Sequence, residues 1–227
     1  MGRSQVHKPA SHARPLREST AKTQGPGRRQ RRALETRMRL FRCALQLFSD
    51  RGFSNVTIEQ ITDAADVGKG TFFNYFESKD HVLGMLAEIQ LSKVKDAVLL
   101  AGKGKEPIRP VLRRLVLSLA EEPGRSPALA RAVASSFLTN EGVRVLIARF
   151  MLEACKLIAE VVAAGQKRGE IDPQLKKERV ALQLQRTFMG TILFWSLHGE
   201  PALTACVEDS FQHFWRAIAV TALKQEP

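Results

Sequence analysis

Apolar side chains recur every three or four residues along most of the chain beyond residue 36. This spacing is the period of an amphipathic α-helix, and no stretch shows the sustained alternation that is typical of a β-strand. Breaks rich in Gly and Pro divide the pattern into separate helices. The clearest breaks lie at residues 102–104, 122–127, 169–173 and 199–201. The sequence therefore predicts an all-α protein.

Residues 57–76 predict two short helices that are separated by a tight turn. Thr57 and Gln60 fit a capping box, in which each side chain bonds the backbone N–H of the other residue. The turn at residues 66–68 contains Asp and Gly, which tolerate left-handed backbone conformations. A second helix is expected over residues 69–76. Helix, tight turn with glycine and helix is the helix-turn-helix pattern.

The second helix of this pair offers a polar face. Phe72 and Phe76 lie four residues apart and would hold the helix against a small core. The remaining positions carry a cation, a hydroxyl, an amide and a phenol, which suit a DNA major groove. Ser78 is placed to cap the next helix, where Lys79 and free amides would hold a phosphate. The predicted DNA-binding residues are Thr57, Lys69, Gly70, Thr71, Phe73, Asn74, Tyr75 and Lys79. A solvated polar face is the alternative for this helix pair taken alone.

A larger set of fixed spacings surrounds this motif: Ala44, Leu47, Phe48, Gly52, Phe53, Thr57, Ile61, Ala65, Val67, Lys69, Gly70, Thr71, Phe76, Ser78 and Lys79. With these residues, the segment from about residue 36 to residue 86 resembles the DNA-binding domain of the TetR family of bacterial transcriptional regulators. The resemblance implies a three-helix helix-turn-helix domain that a long helix joins to a helical ligand-binding and dimerisation domain. Asp66, Gly68 and Phe73 depart from the family pattern, which usually has Gly, a small hydroxyl residue and Tyr there.

The chain is therefore expected to have three parts. Residues 1–33 form a basic tail, residues 34–94 form the DNA-binding domain, and residues 95–227 form the effector-binding and dimerisation domain. The formal net charge of +12 points to an anionic partner. Nine basic residues and one acidic residue lie in the tail, which is poor in large apolar residues and is predicted to be disordered. It would act as an arm that contacts the DNA backbone or minor groove. Residues 28–32 lie closest to the domain and are the part of the tail expected to contact DNA. A solvated leader without a role explains the tail equally well.

The last two predicted helices carry apolar residues on two faces each. A helix that packs only inside one subunit needs one apolar face, so the second face suggests a partner subunit. In the family resembled, the final two helices form a four-helix bundle across a twofold axis. The predicted interface residues are Leu184, Phe188, Phe211 and Ile218. A monomer with buried terminal helices is the alternative.

Residues 142–167 are apolar on most sides, which predicts a buried central helix. A small apolar or amphipathic effector, as the resemblance implies, would bind in the C-terminal domain near this helix. The candidate pocket residues are Phe137, Phe150, Met151, Cys155, Phe188 and Trp195. Ordinary core packing also explains each of them taken singly.

Several classes of function find no support in the sequence. No run approaches the ~20 apolar residues of a membrane span. The three cysteines and five histidines match no disulfide or metal-ligand spacing, and no phosphate-binding glycine loop or nucleophile motif occurs. We therefore expect no cofactor, no metal and no catalysis, in a cytoplasmic, nucleoid-associated protein.

The function that these patterns favour is a dimeric repressor that a small apolar effector releases from a palindromic operator. A DNA-binding architectural or interaction protein of the same fold, without an effector, is a second candidate. A pocket-free C-terminal core would favour that candidate. An enzyme with a helical fold is the third, and it requires titratable groups converging in an apolar pocket.

Overall fold

The structure is a computed structural model that describes residues 1–2 and 27–220. In that part of the chain the α-helices are α1 (Arg28–Arg51), α2 (Ile58–Ala64), α3 (Lys69–Phe73), α4 (Lys79–Lys103), α5 (Ile108–Ala120), α6 (Pro127–Thr139), α7 (Glu141–Lys167), α8 (Lys177–His198) and α9 (Leu203–Ile218). A short 3-10 helix covers Pro123–Arg125. Within the described residues the only β-type pairing is an isolated bridge between Ile171 and Ala219. The all-α prediction is confirmed.

Side-chain caps and left-handed glycines end the helices near the predicted breaks. The Ser126 hydroxyl accepts a hydrogen bond from the Leu129 amide at the start of α6, and the Asn140 side chain does the same for α7. Gly104 and Gly199 follow α4 and α8 with φ of 67° and 81°. Glycine adopts this conformation without the steric cost of a side chain, which explains why the chain turns there.

Two apolar cores share helix α4. The N-terminal core is built by α1, α2, α3 and the first turns of α4, together with Leu129, Ala132 and Val143 from α6 and α7. The C-terminal core is built by the second half of α4 with α5 and α7 to α9. The three N-terminal helices therefore share their core with residues of α6 and α7 as well as of α4. None of the described helices is long and apolar enough to cross a membrane.

The N-terminal boundary of the folded part lies earlier than the sequence predicted. Helix α1 begins at Arg28, so residues 28–33 are helical and not part of a disordered tail. Arg, Gln and Ala are good helix formers, and the Gln30 side chain accepts a hydrogen bond from the Gly27 amide at 3.1 Å. The predicted tail residues 3–26 lie outside the described residues, and their role stays a prediction.

Helix α7 is buried only in part, so the prediction of a central helix buried on most sides was wrong for its first half. Its second half supplies Ile158, Val161 and Val162 to the C-terminal core. In the first half, Val145 and Leu152 are exposed by 53% and 60%. These side chains are exposed because no described element of the same chain covers this face of the helix.

Candidate DNA-binding interface

Helices α2 and α3 form the predicted helix-turn-helix. The capping box at the start of α2 is confirmed: the Thr57 amide donates to Gln60 Oε1 at 3.1 Å, and the Gln60 amide donates to Thr57 Oγ1 at 3.3 Å. In the turn, Asp66 has the left-handed conformation with φ 50°, whereas Gly68 is extended. Asp66 therefore takes a conformation that glycine adopts freely and that Asp tolerates better than most residues.

Helix α3 is shorter than predicted, because it ends at Phe73 and not at residue 76. Residues 74–76 continue as a turn in which the amides of Tyr75 and Phe76 both donate to the Phe72 carbonyl. Phe72 and Phe76 are both buried, and their ring centroids lie 5.4 Å apart. Aromatic residues and Asn are weak helix formers, which is consistent with the early end of this helix.

The polar face that remains is open to solvent as predicted. Lys69, Gly70, Phe73 and Asn74 are exposed, and Thr71 and Tyr75 are half-buried. Phe73 has 49% of its surface exposed while its ring meets Phe72 edge-on. The Phe73 ring therefore adds an exposed apolar surface to this otherwise polar face. The residues that the structure brings together in a shallow groove of about 300 Å³ are Val56, Thr57, Ile58, Glu59, Lys69, Phe73 and Lys79.

An acidic residue that the sequence interpretation missed lies in this groove. The Lys69 ammonium donates a hydrogen bond to the Glu59 carboxylate, and both side chains are about half exposed. This hydrogen bond is the main reason that the pKa of Glu59 is lowered. No spacing rule could have found the pair, because the residues lie ten positions apart on different helices. The charge of the predicted DNA-binding Lys69 is thus partly neutralised by Glu59.

Lys79 makes two hydrogen bonds inside the domain. Its Nζ donates to the carbonyl oxygens of Phe53 at 2.7 Å and Val56 at 2.9 Å. The same atom lies 4.5 Å from the centroid of the Phe53 ring. Ser78 occupies the N-cap position of α4, but its hydroxyl bonds His81 Nδ1 at 3.0 Å and caps no amide. Phosphate binding at this helix start therefore stays a prediction, and protein partners already contact both side chains.

Three of the four predicted dimer-interface residues are buried within their own chain. Leu184, Phe211 and Ile218 belong to the C-terminal core, and Phe188 packs half-buried against it. The prediction chose the inner face of each helix, because apolar periodicity does not tell the inner face from the outer one. The apolar residues that α8 exposes are instead Leu182, Leu193, Phe194 and Leu197.

The six predicted pocket residues do not converge. Phe137 packs against the N-terminal core, whereas Cys155, Phe188 and Trp195 belong to the C-terminal core. Burial raises the pKa of the Cys155 thiol. Trp195 is buried and donates its indole N–H to the Pro201 carbonyl at 2.9 Å. Phe150 is half-buried, and Met151 is exposed on α7. Ordinary packing therefore explains these residues in this conformation.

A narrow apolar cleft is nevertheless present between α5, α8 and α9. Its free space of about 10 Å³ is about enough for one water molecule. Phe188 is the one predicted pocket residue that lines it; the others are Val116, Leu184, Thr187, Thr191, Val207, Ser210 and Phe211. In the described part of the chain, no group of three or more His, Cys, Asp or Glu residues could hold a metal ion.

Comparison with known sequences identifies relatives of this chain. Residues 40–85 match the family described as bacterial regulatory proteins, tetR family. The HTH-type transcriptional regulator TcmR of Streptomyces glaucescens is 43% identical over 34% of this chain and 32% of its own length. The chain therefore spans about a third of that relative. The HTH-type transcriptional repressor DhaR of Mycobacterium sp. (strain GP1) is 25% identical over 69% of this chain and 80% of its own length.

The fold is also similar to a solved structure. The Thermus thermophilus transcriptional repressor FadR, solved in complex with lauroyl-CoA, superposes with a TM-score of 0.58 and 27% identity, over 84% of this chain and 98% of FadR. The matched relatives are named as transcriptional regulators, not as enzymes. Together with the family match, they confirm the resemblance of residues 36–86 and extend it to the whole helical fold.

Proposed function

We propose that this chain, which belongs to the TetR family of bacterial regulatory proteins, is a dimeric transcriptional repressor that binds a palindromic operator and is released by a small apolar effector. The observation that carries the proposal is the exposed face of α3, which the buried Phe72 and Phe76 rings hold in a fixed orientation. The capped start of α2 holds the other half of the motif.

The size and chemistry of α3 fit the major groove. An α-helix with its side chains is about 10–12 Å across, which the major groove, about 12 Å wide, admits. Asn74 can bond an adenine edge through two hydrogen bonds, and Phe73 and Thr71 can contact a thymine methyl group. Lys69 serves a phosphate once it leaves Glu59. Sequence specificity therefore resides in Thr71, Phe73 and Asn74.

The exposed face of α8 supports a homodimer. Phe194 has 72% of its surface exposed, and Leu193 and Leu197 lie one turn or less away. Contiguous exposed apolar surface of this kind marks interaction sites in soluble proteins. A twofold dimer would present two α3 helices to successive major grooves, about 34–36 Å apart. The operator would then be a palindrome with half-sites one helical turn apart.

The effector part of the proposal rests on the similarity to FadR, whose structure contains lauroyl-CoA. In this chain the C-terminal core is closely packed, with the exception of the cleft of about 10 Å³ beside Phe188. An effector must therefore separate helices of this core to bind, and its affinity for the opened state must exceed that for the closed state. Coupling of this kind typically amounts to ~1–3 kcal/mol. The same packed core is the observation that favours an effector-free DNA-binding protein as the second candidate.

The test of DNA binding starts from a pool of random duplexes, from which the purified protein selects its operator. We expect a palindromic consensus, a loss of base preference for Asn74→Ala, and unchanged base preference for Lys69→Ala. A protein that selects no consensus and binds no duplex at low salt would refute the proposal.

To test the effector, a library of apolar compounds is screened by thermal shift, and each hit is retested with saturating operator. If the protein is a ligand-relieved repressor, saturating operator must weaken its affinity for the hit. A library without hits favours the effector-free DNA-binding protein.

The test of the dimer uses light scattering of the DNA-free protein at micromolar concentration. We expect a dimer mass for the parent and a monomer mass for Phe194→Asp. Leu99→Asp is the matched control, because Leu99 is an exposed apolar residue on α4 and should leave the dimer intact. A monomeric parent, or a Phe194→Asp variant that dimerises as tightly as the parent, would contradict the α8 interface.

A further inference from the structure

Helix α1 extends beyond the domain that it helps to form. Its buried residues begin at Leu40, whereas residues 28–35 are exposed with the exception of one half-buried alanine. These eight residues, the overhang, are about 12 Å of helix. Arg37 follows them; its guanidinium lies 5.7 Å from the centroid of the Phe76 ring and pairs with Glu88 at 3.3 Å. The overhang therefore leaves the domain beside the end of the helix-turn-helix.

The overhang carries a cluster of arginines that the protein leaves unpaired. Its arginines are Arg28, Arg29, Arg31 and Arg32. Residues three and four positions apart are neighbours on the surface of a helix, so these four side chains lie close together. Among the described residues no carboxylate forms an ion pair with any of them, and Glu35, the nearest acidic residue of α1, is also unpaired.

This distribution of charge is unfavourable in the free protein. The first turn of α1 contains no acidic residue, and cations at the positive end of the helix macrodipole destabilise the helix. Repulsion between arginines on neighbouring turns adds to the cost. An anionic partner removes both effects. Duplex DNA offers such a partner as rows of phosphates, one for about every 3.4 Å of each strand.

The helical form of the overhang decides which part of the DNA it can contact. An α-helix with its side chains is about 10–12 Å across, whereas the minor groove is about 6 Å wide. A flexible arm enters that groove, but an intact helix does not. The arginine guanidinium bonds phosphate oxygens with two parallel hydrogen bonds. The overhang therefore fits the phosphate backbone, where contacts carry no direct information on base sequence.

We propose that the overhang binds, as a preformed helix, the phosphates of the DNA that flanks each half-site. This contact rests on the DNA-binding function proposed above and adds sequence-independent affinity outside the bases that α3 faces. The operator footprint is then longer than the two half-sites, and the added part shows no base preference. The predicted DNA contact of residues 28–32 thereby becomes a contact of a rigid helix with phosphates and not of a flexible arm with a groove.

The first test replaces the four arginines of the overhang by glutamine and titrates the selected operator at several salt concentrations. Each arginine that neutralises a phosphate contributes about one unit to the slope of log affinity against log salt, so this variant should lose about two to four units. The charge-matched control removes four exposed cations of the C-terminal domain and should keep the slope of the parent. The control positions are Lys103, Lys105, Lys176 and Arg179.

The same titration is repeated with a duplex that is trimmed to the two half-sites. The parent should lose affinity when the flanks are removed, whereas the four-glutamine variant should bind both duplexes equally. A parent that ignores the flanks, or a four-glutamine variant with the slope of the parent, would overturn the proposal and would favour an acidic protein as the partner of the arginines. A parent that selects no operator refutes the DNA-binding function itself, which is a different result.

The second test separates a helix from a flexible arm. Leu34→Pro keeps all four arginines but removes an amide that bonds within α1, and the proline ring breaks the helix there. Because Leu34 has 57% of its surface exposed, little packing is lost, and Leu34→Ala is the control. Leu34→Pro should lose the dependence on flanking DNA, and Leu34→Ala should keep it. A Leu34→Pro variant that binds like the parent, or a selected consensus with A·T-rich flanks, would contradict the helical contact.

Discussion

Gly165→Ala should destabilise the protein, although alanine favours a helix more than glycine does. Gly165 lies near the end of α7 and faces Ile171, which is fully buried. A Cβ at this position would lie 2.7 Å from Ile171 Cδ1 and 3.3 Å from Ile108 Cγ2. Neither isoleucine has a solvent-exposed end that could move away. The substitution therefore forces a shift of the backbone or of two packed side chains.

The size of the effect follows from two opposing contributions. A small-to-large change in a packed core costs about 1–3 kcal/mol. Alanine stabilises a helix interior by about 0.5–1 kcal/mol relative to glycine, and less near a helix end. We therefore expect a net loss of about 1–2 kcal/mol, which lowers Tm by roughly 2–8 °C in a chain of this size. The strain also reaches α9, because Ile171 pairs with Ala219 and the Asp172 amide donates to the Ile218 carbonyl.

The assay is urea unfolding and thermal unfolding at one fixed protein concentration, because the stability of a dimer depends on concentration. Gly102→Ala is the matched control: Gly102 is also near a helix end, but nothing lies within 4 Å of its added Cβ, so that variant should equal or exceed the parent. The double variant Gly165→Ala, Ile171→Val removes the closest atom and should recover part of the loss. A Gly165→Ala protein as stable as Gly102→Ala would refute the packing argument.

Three further predictions concern single groups. Thr57→Ala removes the cap of α2 and should cost about 1 kcal/mol in urea unfolding, while Thr57→Ser should restore most of it. Glu59→Gln frees Lys69 from its carboxylate partner, and electrophoretic titration should show severalfold tighter DNA binding at low salt; unchanged binding would mean that Lys69 does not face DNA. The hydrogen bond from Arg113 is the main reason that the pKa of Glu208 is lowered. The pair therefore stabilises the protein above the pKa that Glu208 has in the unfolded chain, and this stabilisation is lost as pH falls through the pKa of Glu208 in the folded protein. The stabilities of the parent and of Arg113→Met should therefore converge in acid. A stability difference that stays constant with pH would contradict this.

The helix-turn-helix was predictable from the sequence because its determinants are local. Thr57 and Gln60 are three residues apart, and Phe72 and Phe76 are four apart. These spacings alone predict the capping hydrogen bonds and the contact between the two rings. The end of α3 was not predictable in the same way. Residues 74–76 keep a helical spacing of apolar groups, but burial of Phe76 and the start of α4 at Lys79 take that segment out of the helix.

The site predictions that the sequence pattern left incomplete concern partners distant in the chain. Lys79 reaches carbonyl oxygens 23 and 26 residues away, and backbone acceptors leave no trace in a sequence pattern. The faces of α8 pose a different problem: its apolar residues fill two stripes, and periodicity is the same for both. Only the packing of α8 against α6, α7 and α9 decides that Leu184 lies inside and Phe194 outside.

The contact between α4 and α7 limits how an effector can act under the proposed mechanism. A Cβ at Gly84 would lie 3.0 Å from Leu146 Cδ2, so the two helices approach closely where both meet the N-terminal core. Opening the packed C-terminal core moves α7, and because Leu146 fits against Gly84, α4 must follow or lose that contact. The first turn of α4 is in turn bonded to the segment before α2 through Lys79. An opening of the C-terminal core therefore reaches the DNA-binding face through two successive contacts, each of which a single substitution breaks.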